Sequence, residues 1–276
     1  MGDIVGQKFI QDGKVKPKSS FSDKIFNKPS VIYEVIRVEE GVPLFFDDYY
    51  ERLNNSFRLI NKSLSLTSDD LKSMINKLLE INGCNTGPVK LMFGFDDSIH
   101  NLIYLMQPHV PDIEYYNTGV HTILLHKERI NPNAKVWNQQ MRDATSLELK
   151  KANAFEGILV DEEGYITEGS RSNIFFIKNG IVYTTPDEFV LPGITRKKVL
   201  QLCESNEIEV EMKRIHSTDI LNYDAVFITG TSRKVLPLKT IDTMKFGVED
   251  RTMQQISKAF ENLVETYIRK VKMSFG

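Results

Sequence analysis

The chain has 276 residues, a hydrophobic fraction of 41%, a charged fraction of 26% and a formal net charge of −2. That length buries a sizeable core in one large or two moderate domains, and the near-neutral balance gives no general electrostatic reason to expect nucleic acid or an anionic membrane as partner. Cys84 and Cys203 suit neither a disulfide framework nor a metal knuckle, no run approaches about 18 consecutive apolar residues, and the polar N-terminus lacks an apolar h-region, so a cytoplasmic protein is expected.

Residues 1–29 are rich in Lys, Ser and Gly and read as an extended lead-in with short strands. Residues 31–38 alternate with β-branched side chains, the pattern of a strand, which puts Tyr33, Val35 and Arg37 on one face. Gly41-Val42-Pro43 turns the chain into a second strand at 44–46, and Asp47 or Asp48 is expected to cap a helix running to Leu59. Thr67-Ser68-Asp69-Asp70 repeats that start signal ahead of Leu71, Met74, Ile75, Leu78 and Leu79 at helical spacing. Residues 89–95 and 102–106 predict a strand pair joined by a polar turn at Asp96-Asp97-Ser98.

Residues 116–119 are polar and open the connection to a second domain, so the expected domains are 1–118 and 119–276. A strand at 121–125 leads to a loop at 130–133 and a helical pattern over 138–151. Strands at 157–160 and 174–177 then alternate with helices at 196–204 and 251–270, the last carrying a stripe of Met253, Ile256, Phe260, Leu263, Val264 and Ile268. Two α+β domains are the expected fold.

The chemistry concentrates in residues 161–196. Glu168 follows a strand that passes from 157–160 through Gly164 to Thr167, and Gly193-Ile194-Thr195 opens a helix just downstream. An acid fixed between strands, with a helix N-terminus nearby, suits a phosphorylated heteroaromatic cofactor. Helix amides and the positive dipole end hold the phosphate, and the acid keeps a ring nitrogen protonated. The loop Asn131-Pro132-Asn133-Ala134 presents Lys135, which would attack the cofactor's aldehyde and then move a proton at the substrate Cα, work that needs a partly desolvated amine. Lys150 and Lys151 are rivals by proximity, but they read as a helix C-terminus favoured by the dipole. The whole reads as a pyridoxal 5′-phosphate site. The histidines, His100, His109, His121, His126 and His216, show no ligand spacing, so no metal is expected.

EGYITEGSRSNIF at 163–175 and LPGITR at 191–196 resemble the class IV (fold-type IV) aminotransferase family. So do VIYEVIRV at 31–38, with Phe46, Arg52 and Leu53 following, and Gly230-Thr231-Ser232. That family contains branched-chain aminotransferases, D-amino acid aminotransferases and aminodeoxychorismate lyases. The resemblance implies a two-domain α+β fold with the cofactor in the interdomain cleft, and a homodimer with active sites near its interface. It implies Lys135 as the covalent anchor and Glu168 as the ring-nitrogen partner. Arg52 becomes a bidentate phosphate ligand, or a helix-surface residue paired with Asp48 or Glu51. Ile194, Thr195, Thr231 and Ser232 supply further phosphate donors. Tyr33 turns toward the substrate, and Arg37 binds a substrate carboxylate or pairs with Glu39 or Glu40.

Three departures matter. Tyr49 stands where the family usually has histidine, residues 89–94 lack the Thr-Arg-Gly of D-amino acid aminotransferases, and Val136-Trp137-Asn138-Gln139-Gln140 lacks the tyrosine of branched-chain enzymes. The expected function is transfer of an amino group between a branched-chain-like or D-amino acid and a 2-oxo acid. The alternatives are an aminodeoxychorismate lyase, which eliminates pyruvate with the same Lys135 and Glu168, and a cofactor-binding protein without turnover.

Overall fold

In the computed structural model, which describes residues 4–22, 24–27 and 31–274, the chain divides into two compact units. The first comprises residues 1–109, 134–139 and 264–276, and the second 110–133 and 140–263. Of the expected lead-in, residues 1–3, 23 and 28–29 lie outside the described residues, while Lys8–Gln11 and Lys14–Pro17 form an antiparallel pair.

The described strands of the first unit make an antiparallel six-stranded sheet in the order Lys14–Pro17, Lys8–Gln11, Ile99–Leu105, Gly87–Phe95, Ile32–Glu39, Val42–Pro43. Ile32–Glu39 pairs with Gly87–Phe95 so that Tyr33 lies opposite Met92 and Val35 opposite Lys90. Alternation sorts its side chains. Ile32, Ile36 and Val38 are buried on one face, with Glu34 among them, and Tyr33 joins Met92, Leu102 and Tyr104 in the core on the other. Helix Phe46–Leu59 packs on this strand. Helix Ser68–Asn82 begins at the expected start signal, which the structure closes as a capping box: Asp70 N donates to Thr67 Oγ1 at 3.1 Å and Thr67 N to Asp70 Oδ2 at 2.8 Å.

Two local expectations fail here. Neither Asp47 nor Asp48 caps the first helix: Phe45 is its N-cap, in a left-handed conformation (φ 51°), with no side-chain cap bond. The aspartates lie inside the first turn, where they complement the helix dipole. The strand expected at 44–46 is a turn, because the chain enters the helix directly after the two-residue pairing of Val42–Pro43.

The second unit is built on a mixed sheet of ten described strands. Val120–His126 lies parallel to both Lys234–Ile241 and Glu156–Val160. A parallel pair requires a long crossover, and helix Gln139–Ala152 falls in the one between Val120–His126 and Glu156–Val160. Glu156–Val160 is buried throughout, as expected of a strand covered on both faces. Tyr165–Gly169 runs antiparallel beside it and carries Glu168 next to its end. Helix Ile194–Ser205 starts at the expected Gly193-Ile194-Thr195 opening, two residues ahead of the 196–204 pattern, and Arg251–Met273 extends three residues further than expected. Its Met253, Ile256, Phe260, Val264 and Ile268 are all buried within the chain. Among the described residues no helix is long and apolar enough to cross a membrane.

Candidate active site

Tyr33, Arg37, Arg52 and Lys135 belong to the first unit, and Glu168, Ile194, Thr195, Thr231 and Ser232 to the second. Lys135 is held by its backbone. Its N–H donates to Ser56 Oγ at 3.1 Å, its carbonyl accepts from Tyr33 N at 3.1 Å, and Trp137 N donates to Val31 O at 2.7 Å. A short segment is thereby laid antiparallel against the start of the Ile32–Glu39 strand, with Ile32 bridged to Val136. The half-buried Lys135 side chain reaches over the Tyr33 ring, Nζ 4.8 Å from its centre. Tyr33 meets Trp137 edge to face at 5.1 Å, and Trp137 carries Lys90 Nζ 3.9 Å from its own ring centre. The rivals Lys150 and Lys151 are exposed in the last turn of their helix.

Arg52 is buried, and Glu34 on the neighbouring strand grips it. Nε and Nη2 donate to Glu34 Oε1 and Oε2 at 2.8 and 2.6 Å, a fork-to-fork pair. Burial works against the guanidinium charge, but the Coulomb attraction and hydrogen bond of Glu34 outweigh it, and the pKa is raised. Tyr49, at the departure from the family pattern, lies with its ring centre 5.3 Å from the Arg52 Cζ. On the opposite face of the same strand Arg37 pairs with Glu39, as one of its two expected readings had it.

In the second unit Glu168 is 2% exposed. Oε1 meets Arg129 Nε at 2.8 Å, while Oε2 accepts from Asn173 Nδ2 and Leu191 N, both at 3.3 Å. Asn173 Nδ2 also donates to Leu191 O at 2.9 Å, tying the strand after Glu168 to the Leu191-Pro192-Gly193 approach. A Cβ at Gly193 would collide with Asn173 Oδ1, so a larger residue there would displace the Asn173 amide. Gly193 is the N-cap of Ile194–Ser205 and offers no side-chain cap, and both Ile194 and Thr195 are buried in the first turn. Thr231 and Ser232 are half-buried in the turn between strands Ala225–Gly230 and Lys234–Ile241. One residue before Gly230, Thr229 Oγ1 is buried with no partner among the described residues.

Each unit carries groups that suit pyridoxal 5′-phosphate. In the second unit an uncapped helix start and two hydroxyl-bearing turn residues match a dianionic phosphate, and in the first a guanidinium does. A buried carboxylate held by an arginine matches a protonated ring nitrogen, and a lysine amine beside aromatic rings matches an aldehyde carbon. Sequence reasoning missed Glu34, Ser56 and Arg129. Glu34 left a trace, a lone acid among Ile32, Ile36 and Val38 on a buried strand face. Ser56 and Arg129 left none.

A family model for amino-transferase class IV matches residues 31–241. The chain is 30% identical to the D-alanine aminotransferase of Bacillus licheniformis, over 93% of this chain and 97% of that protein. It is 27% identical to a probable branched-chain-amino-acid aminotransferase of Aquifex aeolicus, over 95% and 93% respectively. A T.th. branched-chain amino acid aminotransferase, solved with pyridoxamine 5′-phosphate, shares the fold with a TM-score of 0.85 at 21% identity, over 95% of each chain.

Proposed function

The chain belongs to the class IV aminotransferase family and is a pyridoxal-phosphate-dependent transaminase, and on that premise we propose how its residues divide the work and which amino donors it accepts. When bound, the cofactor supplies the electron sink for carbanion chemistry. Lys135 anchors it covalently and then carries the proton at the substrate Cα. Glu168, fixed by Arg129, Asn173 and the Leu191 amide, keeps the ring nitrogen protonated. Arg52 holds the phosphate together with the first-turn amides at Ile194 and Thr195, the Thr231 hydroxyl and Ser232. Tyr33 and Arg37 serve the substrate side, Arg37 with Glu39 as its resting partner.

The donor is a neutral amino acid with a small apolar side chain. The observation that carries this is the aromatic corner beside the Lys135 amine, where the rings of Tyr33 and Trp137 meet edge to face at 5.1 Å. A D-amino acid such as D-alanine is the first reading, supported by the near-full-length likeness to the Bacillus licheniformis enzyme. A branched-chain L-amino acid is the second, supported by the Aquifex aeolicus relative. Single-turnover bleaching of the bound cofactor by D-alanine, L-leucine, L-valine and an acidic donor decides between them. Fastest bleaching by the acidic donor would reject both. Borohydride reduction and peptide mapping should place a pyridoxyl group on Lys135, and a label on Lys150 or Lys151 would reassign the anchor.

A homodimer and a cytoplasmic location belong to the same reading. Both cysteines are free thiols, the state that a reducing compartment maintains. Light scattering on the eluting protein should return about twice the 31.7 kDa of one chain, and fractionation tests the location.

A further inference from the structure

Inside the second unit an unbroken line of contacts runs from Glu168 to the turn that carries Thr231 and Ser232. Glu168 Oε1 meets Arg129 Nε at 2.8 Å, and Arg129 Nη2 donates to Ser170 O at 2.6 Å. Ser170 Oγ donates to Glu156 Oε1 at 2.5 Å, and Glu156 Oε2 meets Arg233 Nη2 at 3.0 Å. Arg233 N then donates to Gly230 O at 3.1 Å, closing the turn.

Glu156 is the centre of this line. It is fully buried, and it also accepts from Gly157 N at 3.1 Å and from Ser172 Oγ at 3.3 Å. Stability alone is a weak reason for such a group, since a buried ion pair is often no better than packed hydrocarbon of the same volume. Its side-chain partners come from two turns. One is Gly169–Ser172, directly after Glu168, where Gly169 N donates to Ser172 O at 2.8 Å and a Cβ on Gly169 would collide with Ser172 Oγ. The other is the turn after Gly230, reached through Arg233.

We infer that Glu156 is a positioning residue that fixes the Thr231–Ser232 turn relative to Glu168, so that the phosphate donors and the ring-nitrogen acid stand at the spacing of one bound cofactor. The inference rests on the proposed roles of Glu168 and Thr231 as cofactor contacts. It deepens them, because it makes cofactor affinity depend on a carboxylate that touches no part of the cofactor. Glu156→Gln keeps the shape and an acceptor for the serine hydroxyls but leaves Arg233 without its counter-charge.

The test is titration of the cofactor-stripped full chain with pyridoxal 5′-phosphate, followed by protein fluorescence. Thr231→Ala, which removes one neutral hydrogen bond, should raise Kd by about 2- to 10-fold. Glu156→Gln should raise it by about 4- to 100-fold, because it misplaces both donors of the turn, Thr231 and Ser232, each worth about 2- to 10-fold. Arg233→Met should reproduce that rise, and it stands in for Glu156→Gln if the latter does not fold. With Thr231→Ala already present, either substitution should raise Kd clearly less than it does alone, because part of the route is gone. An unchanged Kd in Glu156→Gln, or full additivity with Thr231→Ala, overturns the inference and leaves Thr231 as a phosphate contact. An unchanged Kd in Thr231→Ala overturns the inference together with that reading.

Discussion

The two units treat their buried charges differently. In the first, Arg52 and Glu34 make one pair between a helix and the strand beneath it, with both carboxylate oxygens used on one side of the guanidinium. In the second, Glu168, Arg129, Glu156 and Arg233 are strung through Ser170, so each acid leans on an arginine that touches another element. A bidentate pair presets one group, and its loss acts first on that group. A string shares position among several groups, and disturbance at one end is felt at the other.

The largest effect expected from this contrast is on stability in the first unit. Glu34→Ala removes the bidentate carboxylate from the buried Arg52 guanidinium, and such a break costs about 3–5 kcal/mol. Denaturant unfolding of the apo protein should show the loss. Glu34→Leu combined with Arg52→Met should recover much of it, since neither charge is then left buried without the other. A double substitution as costly as the sum of the singles would mean that other groups share the pair's load.

Next comes Glu168→Gln in the string. The amide still accepts from the Leu191 N–H but cannot hold the ring nitrogen protonated, so turnover should fall by about two to three decades while the cofactor stays bound. Half-reaction rates in stopped flow measure this directly. Rates like those of the unaltered protein would make the acid structural.

Arg37→Ala sharpens the comparison from the surface side. Its pair with Glu39 is part-exposed, and breaking it should change stability by no more than about 1 kcal/mol. If Arg37 meets the substrate carboxylate, KM should rise by about 10- to 100-fold with little change in kcat. A KM that does not move would leave Arg37 with Glu39 alone.

How much of this was legible in the sequence follows from how local each feature is. The alternation of residues 31–38, the Thr67–Asp70 helix start signal and the Gly193-Ile194-Thr195 helix start are set by neighbours within a few positions, and each forms an element where expected. The Phe46–Leu59 start was misread because a left-handed Phe45 carries the N-cap through its backbone, which no side-chain signal marks. Individual site residues could be nominated one by one, but their supports could not. Arg129 reaches Glu168 across 39 positions and Ser56 reaches Lys135 across 79, partnerships that only the folded sheet order creates. Glu34 is the intermediate case. An acid between Ile32 and Ile36 announces that a cation must come to it, but not which one.

The smallest effect lies far from these buried groups, at two hairpin tips of the first unit. His100 Nδ1 contacts Asp12 Oδ2 at 3.2 Å, and Nε2 contacts Asp96 Oδ1 at 3.1 Å, so one imidazole bridges two acids. The Asp12 hydrogen bond, opposed by slight desolvation and helped by both carboxylates, raises the His100 pKa above its ordinary value. A group whose pKa is higher folded than unfolded contributes its full stability below the unfolded pKa of about 6.5. That contribution fades as the pH rises through the folded pKa. The stability difference between the unaltered protein and His100→Gln should therefore be greatest near about pH 5.5 and shrink by about pH 8.5. With a quarter of the side chain exposed, water screens the pair, and the difference should be smaller than any of the three above. Urea unfolding of both proteins across that range measures it. A difference that grows with pH would mean that the imidazole is held neutral, and that the two tips are joined by hydrogen bonds rather than by charge.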